Sequence, residues 1–511
     1  MVRYCLVRMV PCLGLLIISV PPVCGELRID GDRLHVATAN IRMTFQGGDI
    51  VEITNRLTGE RVAYGLQRRQ PLTGTVSDSG EAVALRSDGW RRGHENAEGR
   101  EAAQTVLHGK DYTMWVNVIL DRETDDVAIG IWAESSGPGV SAARLGVRSL
   151  DLGVGSLIIP TTGGFEYAKS RTEVNLTLPY PSEWVAQMLI WQSREGGLVL
   201  YSRDDENRYK AICLTRRGDY IDLGLEARAG KPWARATSVP YVEWRINAYK
   251  GGWQVPASGY KRLMSFLRPR DPAPESRLWV GQIQKVVEVP DRADGSWLDQ
   301  LTKTTVPART LILLTDWHES GPPDYRMTYR ASVFISKARE RGFCVMVPVH
   351  LQCARPGYGS RSSGGAGESP GPNGPDELQI MNPASNAWRR TLLRELREAF
   401  AGTRPDALLL LDGANVVEES DGTSSSTGLE GLLTLLSELQ SAFPDIVLGT
   451  DGLHELLLPY VRIAQRPSST AKPGHPITDF LFGDQVLWFI ADRAAPRGRT
   501  AAAPCDSAPH H

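Results

Sequence analysis

The chain lacks an excess of charge of one sign. Its 511 residues include 57 Lys and Arg against 59 Asp and Glu, which leaves a formal net charge of −2. A balanced chain offers no electrostatic reason to bind nucleic acid or an anionic membrane surface. We therefore expect a neutral ligand and no nucleic-acid partner.

Cysteines are few, and recognisable metal or phosphate motifs are missing. Of the seven cysteines, four lie near the chain ends, and Cys213, Cys344 and Cys353 remain in the body. That odd number, at these spacings, matches neither a disulfide framework nor a metal site. No His-x-His or His-Glu-x-x-His pair occurs, and no phosphate-cradling loop follows a predicted strand. We expect no metal and no cofactor, with the three cysteines as buried spectators.

No apolar run is long enough to cross a membrane. Arg3 and Arg8 precede a short apolar stretch over 9–20, and Pro21 and Pro22 interrupt it. A membrane-spanning helix needs about 20 apolar residues. The pattern is typical of a secretory signal peptide over residues 1–25, with a membrane anchor as the alternative. We expect a secreted or periplasmic protein with no membrane span in the mature chain, and the oligomeric state is unknown.

Residues 26–270 show the pattern of an all-β domain. A chain of this length exceeds one core, so two or three domains are expected. Apolar residues alternate over 114–120 and 127–133 around an acidic turn, which predicts an antiparallel hairpin, and no segment reads as a helix. Similar runs are too numerous for one open sheet, so we predict a large two-sheet sandwich.

Residues 277–490 change to alternating strands and helices. Strands are predicted at Leu278–Ile283, Thr310–Leu314, Phe343–Val349, Asp406–Asp412 and Ile446–Asp451. Amphipathic helices separate several of them, for example the apolar face of Trp388, Leu392, Leu396 and Phe400. This order predicts parallel strands with right-handed crossovers, in a barrel or a doubly wound sheet.

Two of these strands end on a carboxylate. An unbroken aliphatic run stops at Asp412, and a second stops at Asp451. In strand–helix barrels the chemistry lies at the carboxyl ends of the strands, and paired carboxylates there indicate cleavage of glycosidic bonds.

Further polar residues follow the predicted strands and indicate one shared pocket. A barrel would gather them on one rim, whereas an open sheet would spread them along a ridge. The candidate substrate-binding residues are Asp316, Trp317, His318, His350 and Asn415.

The order of several short motifs resembles a known family. These are Asn55-Arg-Leu-Thr-Gly59, Gly196 to Asp204, Tyr249-Lys-Gly-Gly-Trp253 and Asp406 to Asp412. Over residues 26–490 the chain resembles glycoside hydrolases with a galactose-mutarotase-like β-sandwich followed by a (β/α)8 barrel. The likeness is strongest to the catalytic regions of endo-α-N-acetylgalactosaminidases and their uncharacterised secreted relatives.

The resemblance implies roles for three acids. The nucleophile of that family is an Asp closing strand four, which corresponds to Asp412. The acid/base is a Glu closing strand five, where this chain has Asp451, with Glu455 one turn further on. Because Asp is one methylene shorter than Glu, either residue could serve. The expected partner is an oligosaccharide or glycan.

Each candidate also has a structural alternative. Asp412 and Asp451 could belong to strand-to-loop turns, and Glu455 could be a first-turn helix acid. Trp317 and His318 suit a sugar platform and a hydroxyl contact, or ordinary packing. His350 could be a hydrogen-bonded core histidine.

The spacing of the strand ends predicts a barrel truncated after five or six strands, followed by a disordered or out-of-frame tail at 491–511.

The sequence leaves three classes of function open. The first is a secreted retaining α-glycosidase or its inactive remnant, and the second is a non-catalytic carbohydrate-binding protein. The third, a mutarotase-like epimerase, lacks a convincing His and Glu pair.

Overall fold

A computed structural model describes residues 25–65, 71–93, 101–168, 175–270, 275–290, 293–355, 378–416, 427–466 and 474–490. The expected signal peptide, except residue 25, and the expected tail lie outside these ranges. None of the helices within them is long and apolar enough to cross a membrane.

Two large sheets form the N-terminal sandwich. The first has eleven strands: Glu26–Asp30, Arg33–Ala37, Ile41–Gln46, Asp49–Asn55, Arg61–Ala63, Gly74–Ser77, Ala82–Ala84, Val140–Asp151, Asn175–Tyr180, Lys210–Arg217 and Tyr220–Arg228. The second has ten: Arg86–Ser87, Arg91–Arg92, Ala102–His108, Tyr112–Asp121, Asp126–Ser135, Gly155–Ile159, Phe165–Tyr167, Met188–Ser193, Gly196–Ser202 and Ser238–Lys250.

The apolar faces of the two sheets share one core. Met43 and Phe45 from the first sheet and Met114 and Val116 from the second belong to the same buried cluster. The predicted hairpin is confirmed, because Tyr112–Asp121 pairs antiparallel with Asp126–Ser135. Period-two alternation therefore predicted the sandwich correctly.

One helix in the all-β region escaped the sequence analysis. Gln254–Leu267 is an α-helix that buries Ala257, Tyr260 and Met264 along one face. Pro256 and Gly259 obscured this helical spacing, although Pro is compatible with a first turn.

The C-terminal half contains a seven-stranded parallel sheet whose strands are ordered as in the chain. We number these barrel strands one to seven: Lys285–Glu288, Thr310–Leu313, Cys344–His350, Ala407–Leu411, Val447–Thr450, Ile463–Gln465 and Leu487–Phe489. A two-stranded ladder joins Cys353–Ala354 to Gln379–Ile380.

Alternate residues of the barrel strands face two different cores. Leu311, Met346 and Leu409 belong to a small cluster on one face of the parallel sheet, whereas Ile312 and Leu408 pack in the larger cluster with the helices. Burial on both faces explains the uninterrupted aliphatic strands. The arrangement is a β-sandwich followed by a partial barrel.

Helices connect the barrel strands. The α-helices among the described residues of the barrel are Gly295–Thr304, Tyr329–Glu340, Asn386–Ala399, Gly428–Ala442 and Ile477–Phe482. Short 3-10 helices in the described parts of the chain are Trp233–Arg235, Glu275–Gln282, Pro307–Arg309 and Glu455–Leu457. The predicted face of Trp388, Leu392 and Leu396 is buried.

Two expectations for the barrel need correction. The segment predicted as strand one is the 3-10 helix Glu275–Gln282, and strand one begins at Lys285. Val280 and Ile283, three residues apart, lie on one side of this turn and join the small barrel cluster. The structure also describes seven strands rather than five or six, because Ile463–Gln465 is too short to give a periodic signal.

The sandwich packs directly on the barrel, through buried apolar side chains and through a close backbone contact. Ile158 and Met188 of the second sheet belong to the same buried cluster as the barrel helices. At one point Gly164, with φ +66, lies so close to the barrel that a Cβ there would be 1.7 Å from the His475 carbonyl oxygen. Only glycine fits this junction.

We predict that Gly164→Ala lowers the thermal unfolding midpoint more than Gly218→Ala does. Both glycines have left-handed backbones, with φ +66 and +65, but nothing lies within 4 Å of a Cβ at Gly218. The control therefore measures backbone strain of about 1–2 kcal/mol, and the junction adds overpacking of about 1–3 kcal/mol. Equal shifts in scanning calorimetry would refute the close contact.

Candidate active site

The structure brings Asp412 and Asp451 together at the carboxyl ends of barrel strands four and five. The strands are parallel neighbours, with Leu410 opposite Thr450. The Asp412 N–H donates to Asp451 Oδ2 at 3.1 Å. The Asp451 N–H donates in turn to the Leu410 carbonyl at 3.3 Å. The two acids predicted from sequence are therefore in direct contact.

Glycines after both acids allow this approach. A Cβ at Gly413 would lie 2.8 Å from Thr450 Oγ1, and a Cβ at Gly452 would lie 2.8 Å from the Ala414 Cβ. The two Asp-Gly turns therefore pack against each other more tightly than larger residues would permit.

Asp412 has a strained backbone that three contacts hold in place. Its φ is +65, a conformation that costs a non-glycine residue about 1–2 kcal/mol. Its N–H is bound to Asp451, and its carbonyl accepts from Gln352 Nε2 at 2.7 Å. His350 Nδ1 lies 2.8 Å from Asp412 Oδ2. Strain held by surrounding contacts is characteristic of functional sites.

Asp451 has the electrostatics of a general acid. Burial raises the pKa of its carboxyl group from 3.8 to about 6, and the negative charge of Asp412 adds to the rise. The hydrogen bond from the Asp412 N–H opposes it. Asp451 is therefore protonated in a large fraction of molecules below pH 6.

Two residues near the pair, Tyr325 and Gln352, were missed by the sequence analysis. The His350 N–H donates to the Tyr325 hydroxyl at 2.9 Å, and Gln352 Nε2 also donates to the Asn415 carbonyl at 2.7 Å. Cys353 follows in the same segment. The run His350-Leu-Gln-Cys353 directly after strand three was the available signal, since this position lies on the rim.

Cys353 is buried, as expected, and it lies beside His350 and Asp412. Its Sγ, the His350 ring nitrogen and an Asp412 carboxylate oxygen all lie within 4.8 Å of one another. Such donors could surround a metal ion, yet His350 and Asp412 already contact each other directly. We assign no metal to this group.

Trp317 is not available as a sugar platform. The side chain is fully buried, its ring stacks on Tyr325 at 5.3 Å, and its Nε1 donates to the Pro348 carbonyl at 2.8 Å. Packing against Phe400 completes the enclosure. The packing alternative is therefore correct for this residue.

The other predicted rim residues differ in exposure. His318 is partly buried against Tyr325, and burial lowers the pKa of its ring, with a contribution from the charge of His350. Asp316 and Asn415 are exposed. The Asn415 N–H donates to the Asp412 carbonyl at 3.1 Å, which closes the turn after strand four.

Glu455 points away from the pair, into the sandwich. It is 1% exposed, and its carboxylate accepts from the Tyr180 hydroxyl at 2.7 Å, the Tyr260 hydroxyl at 2.6 Å and the Gln187 N–H at 3.2 Å. These contacts occupy both oxygens. Asp451 is therefore the better candidate for the acid/base.

Comparisons with known proteins agree with this architecture. No protein-family model matches the chain, and no curated protein matches it. Among solved structures, α-N-acetylgalactosaminidase NagBb from Bifidobacterium bifidum in complex with GalNAc superposes with a TM-score of 0.65, at 12% identity, over 90% of this chain and 82% of that chain. The galactosidase domain of the α-galactosidase-sucrose kinase AgaSK gives a TM-score of 0.51, at 10% identity, over 93% of this chain and 80% of that chain.

At these identities the likeness concerns the fold alone. The chain has a fold similar to that of glycoside hydrolases, so the predicted resemblance is confirmed at that level. The closer likeness to endo-acting relatives stays a prediction.

We predict that Asp451→Asn stabilises the protein at pH 8 and has little effect at pH 4. A carboxyl whose folded pKa is about 6 instead of 3.8 binds more protons when folded, so stability falls as pH rises through that window. Above this pH window, the ionised Asp451 lowers the free energy of unfolding by at most about 3 kcal/mol. Asn keeps the acceptor for the Asp412 N–H and removes the charge.

Thermal unfolding midpoints of both proteins at the two pH values measure this effect. Asp316→Asn, which changes an exposed acid after strand two, is the control. It should shift the unfolding midpoint by the same small amount at both pH values. Destabilisation by Asp451→Asn at pH 8 would contradict the raised pKa.

Proposed function

We propose that this protein is a glycoside hydrolase that cleaves α-linked glycans by a two-carboxylate, retaining mechanism. The observation that carries the proposal is the contact between Asp412 and Asp451 on adjacent strand ends, with the pKa of Asp451 raised to about 6. This chemistry requires two carboxyl groups at one rim, one of which is held protonated so that it can act as the acid.

In the first step, a carboxylate oxygen of Asp412 attacks the anomeric carbon. Asp451 donates its proton to the glycosidic oxygen, the bond between that oxygen and the anomeric carbon breaks, and a glycosyl ester forms on Asp412. His350 beside Oδ2 fixes the orientation of the carboxylate and leaves Oδ1 for attack. In the second step Asp451 takes a proton from water, and the hydroxyl oxygen displaces Asp412.

Retention is proposed because the two acids follow adjacent strands and are joined by a hydrogen bond. Retention requires carboxyl groups about 5 Å apart, and inversion requires roughly 6.5–9.5 Å. A 3.1 Å bond from the Asp412 amide to the Asp451 carboxylate favours the shorter separation. An inverting enzyme needs the wider separation because a water molecule must fit between its acid and the sugar, and the retaining mechanism has no such requirement.

The sugar class is proposed from the solved structures of similar fold. One is described as an α-N-acetylgalactosaminidase and another as a galactosidase domain. We therefore propose α-N-acetylgalactosaminides and α-galactosides as the first substrates to test. From the signal-peptide pattern predicted for residues 1–25, we also propose that the protein acts outside the cytoplasm.

We predict that the full chain releases aryl alcohols from these α-glycosides and that Asp412→Asn abolishes release. Asp451→Asn should lower kcat/KM by roughly 10²- to 10⁴-fold with a poor leaving group and much less with an activated one, because kcat/KM reports the first step, in which only the poor leaving group needs protonation. In the wild type, kcat/KM should fall as pH rises above about 6, where Asp451 loses its proton.

Asp299→Asn is the control, since this acid pairs with Arg341 and is 58% exposed. It should behave as wild type. Full turnover by Asp412→Asn would eliminate the nucleophile assignment. Calorimetric binding of glycans with no turnover would support the non-catalytic carbohydrate-binding class instead.

A further inference from the structure

Glu455 is buried between the sandwich and the barrel, at the end of the short loop that begins with the proposed acid. Asp451 directly follows strand five, and Glu455 opens the 3-10 helix four residues later. No helix or strand separates the two residues. Any constraint on Glu455 therefore acts on the loop that carries Asp451.

Three hydrogen bonds are described for the Glu455 carboxylate. Two come from the sandwich, and the third comes from the helix Gln254–Leu267 that follows it. Tyr180 closes a sandwich strand, Gln187 precedes another, and Tyr260 lies on the helix that follows the last sandwich strand. The Glu455 N–H also donates to the Val185 carbonyl at 2.9 Å. Four hydrogen bonds thus join one barrel residue to elements outside the barrel.

Positive charges balance the buried carboxylate. Lys210 and Arg268 both interact electrostatically with Glu455. Lys210 is itself fully buried and bound to Asp204 at 2.5 Å. A carboxylate in such surroundings is costly unless its geometry is fully satisfied, so its position is strongly specified.

We infer that Glu455 is a positioning residue through which the sandwich holds the Asp451 loop in register with Asp412. This inference rests on the proposed function. It gives the sandwich a role in the chemistry without contact with the substrate, and it replaces the expectation that Glu455 itself is an acid/base.

The test uses Tyr180→Phe, Tyr260→Phe and the double variant in the full chain. Each removes one hydroxyl donor and leaves the ring in place. A misplacement of Asp451 by about 1 Å can cost roughly 100-fold, so the double variant should lose about 10- to 100-fold in kcat/KM with a poor leaving group. The kcat/KM for a substrate with an activated leaving group, which needs no acid in the first step, should stay near the wild-type value.

Tyr201→Phe is the matched control. Its ring packs against Tyr260 and stays in place, whereas the hydroxyl that is lost donates to the Asp126 carboxylate at 2.5 Å and not to Glu455. It should leave the kcat/KM of both substrates unchanged. If Glu455 had a purely structural role, the tyrosine variants would lower the activity on both substrates equally, because a smaller fraction of the protein would be folded. That result would overturn the inference.

Variants of Glu455 separate positioning from direct catalysis. Glu455→Gln keeps an acceptor and a similar shape, so it should retain more activity with the poor leaving group than Glu455→Ala. Equal loss in both, with the tyrosine variants active, would identify Glu455 as the acid/base and contradict the inference. Absence of hydrolysis in the wild type would instead refute the proposed function.

Discussion

The hydrogen bond from the Asp412 N–H to the Asp451 carboxylate is the constraint on which the site depends. It joins the ends of two adjacent strands and requires the glycine that follows each acid. It also requires the left-handed backbone of Asp412. The fold supplies the rigidity for this arrangement, because both strands are buried on two faces and cannot shift without opening the core.

The two acids lie in different surroundings. Asp412 is beside His350, whereas the burial of Asp451 favours its protonated form although it accepts a backbone N–H. The proposed mechanism needs such a division between a nucleophile and an acid. The sandwich extends the constraint, since Glu455 fixes the loop after Asp451 from the opposite side.

The sequence predicted the elements whose pattern is local. Aliphatic runs located strands four and five and their terminal acids, and alternation located the sandwich hairpin. The sequence could not show that Trp317 lies in the core, because a tryptophan exposed on the rim would also follow a strand end. The partners of Glu455 come from residues 180, 187 and 260, and no spacing in the chain predicts contacts that only the packing of two domains creates. Tyr325 and Gln352 were missed for the same reason.

The most direct measurement is an infrared titration of the Asp451 carboxyl group, identified by its absence in Asp451→Asn and repeated in Asp412→Asn. The account predicts an apparent pKa near 6 in the wild type and a lower value in Asp412→Asn, where the neighbouring negative charge is gone. A carboxyl group that titrates near 4 in both proteins would show that the two acids do not share a site.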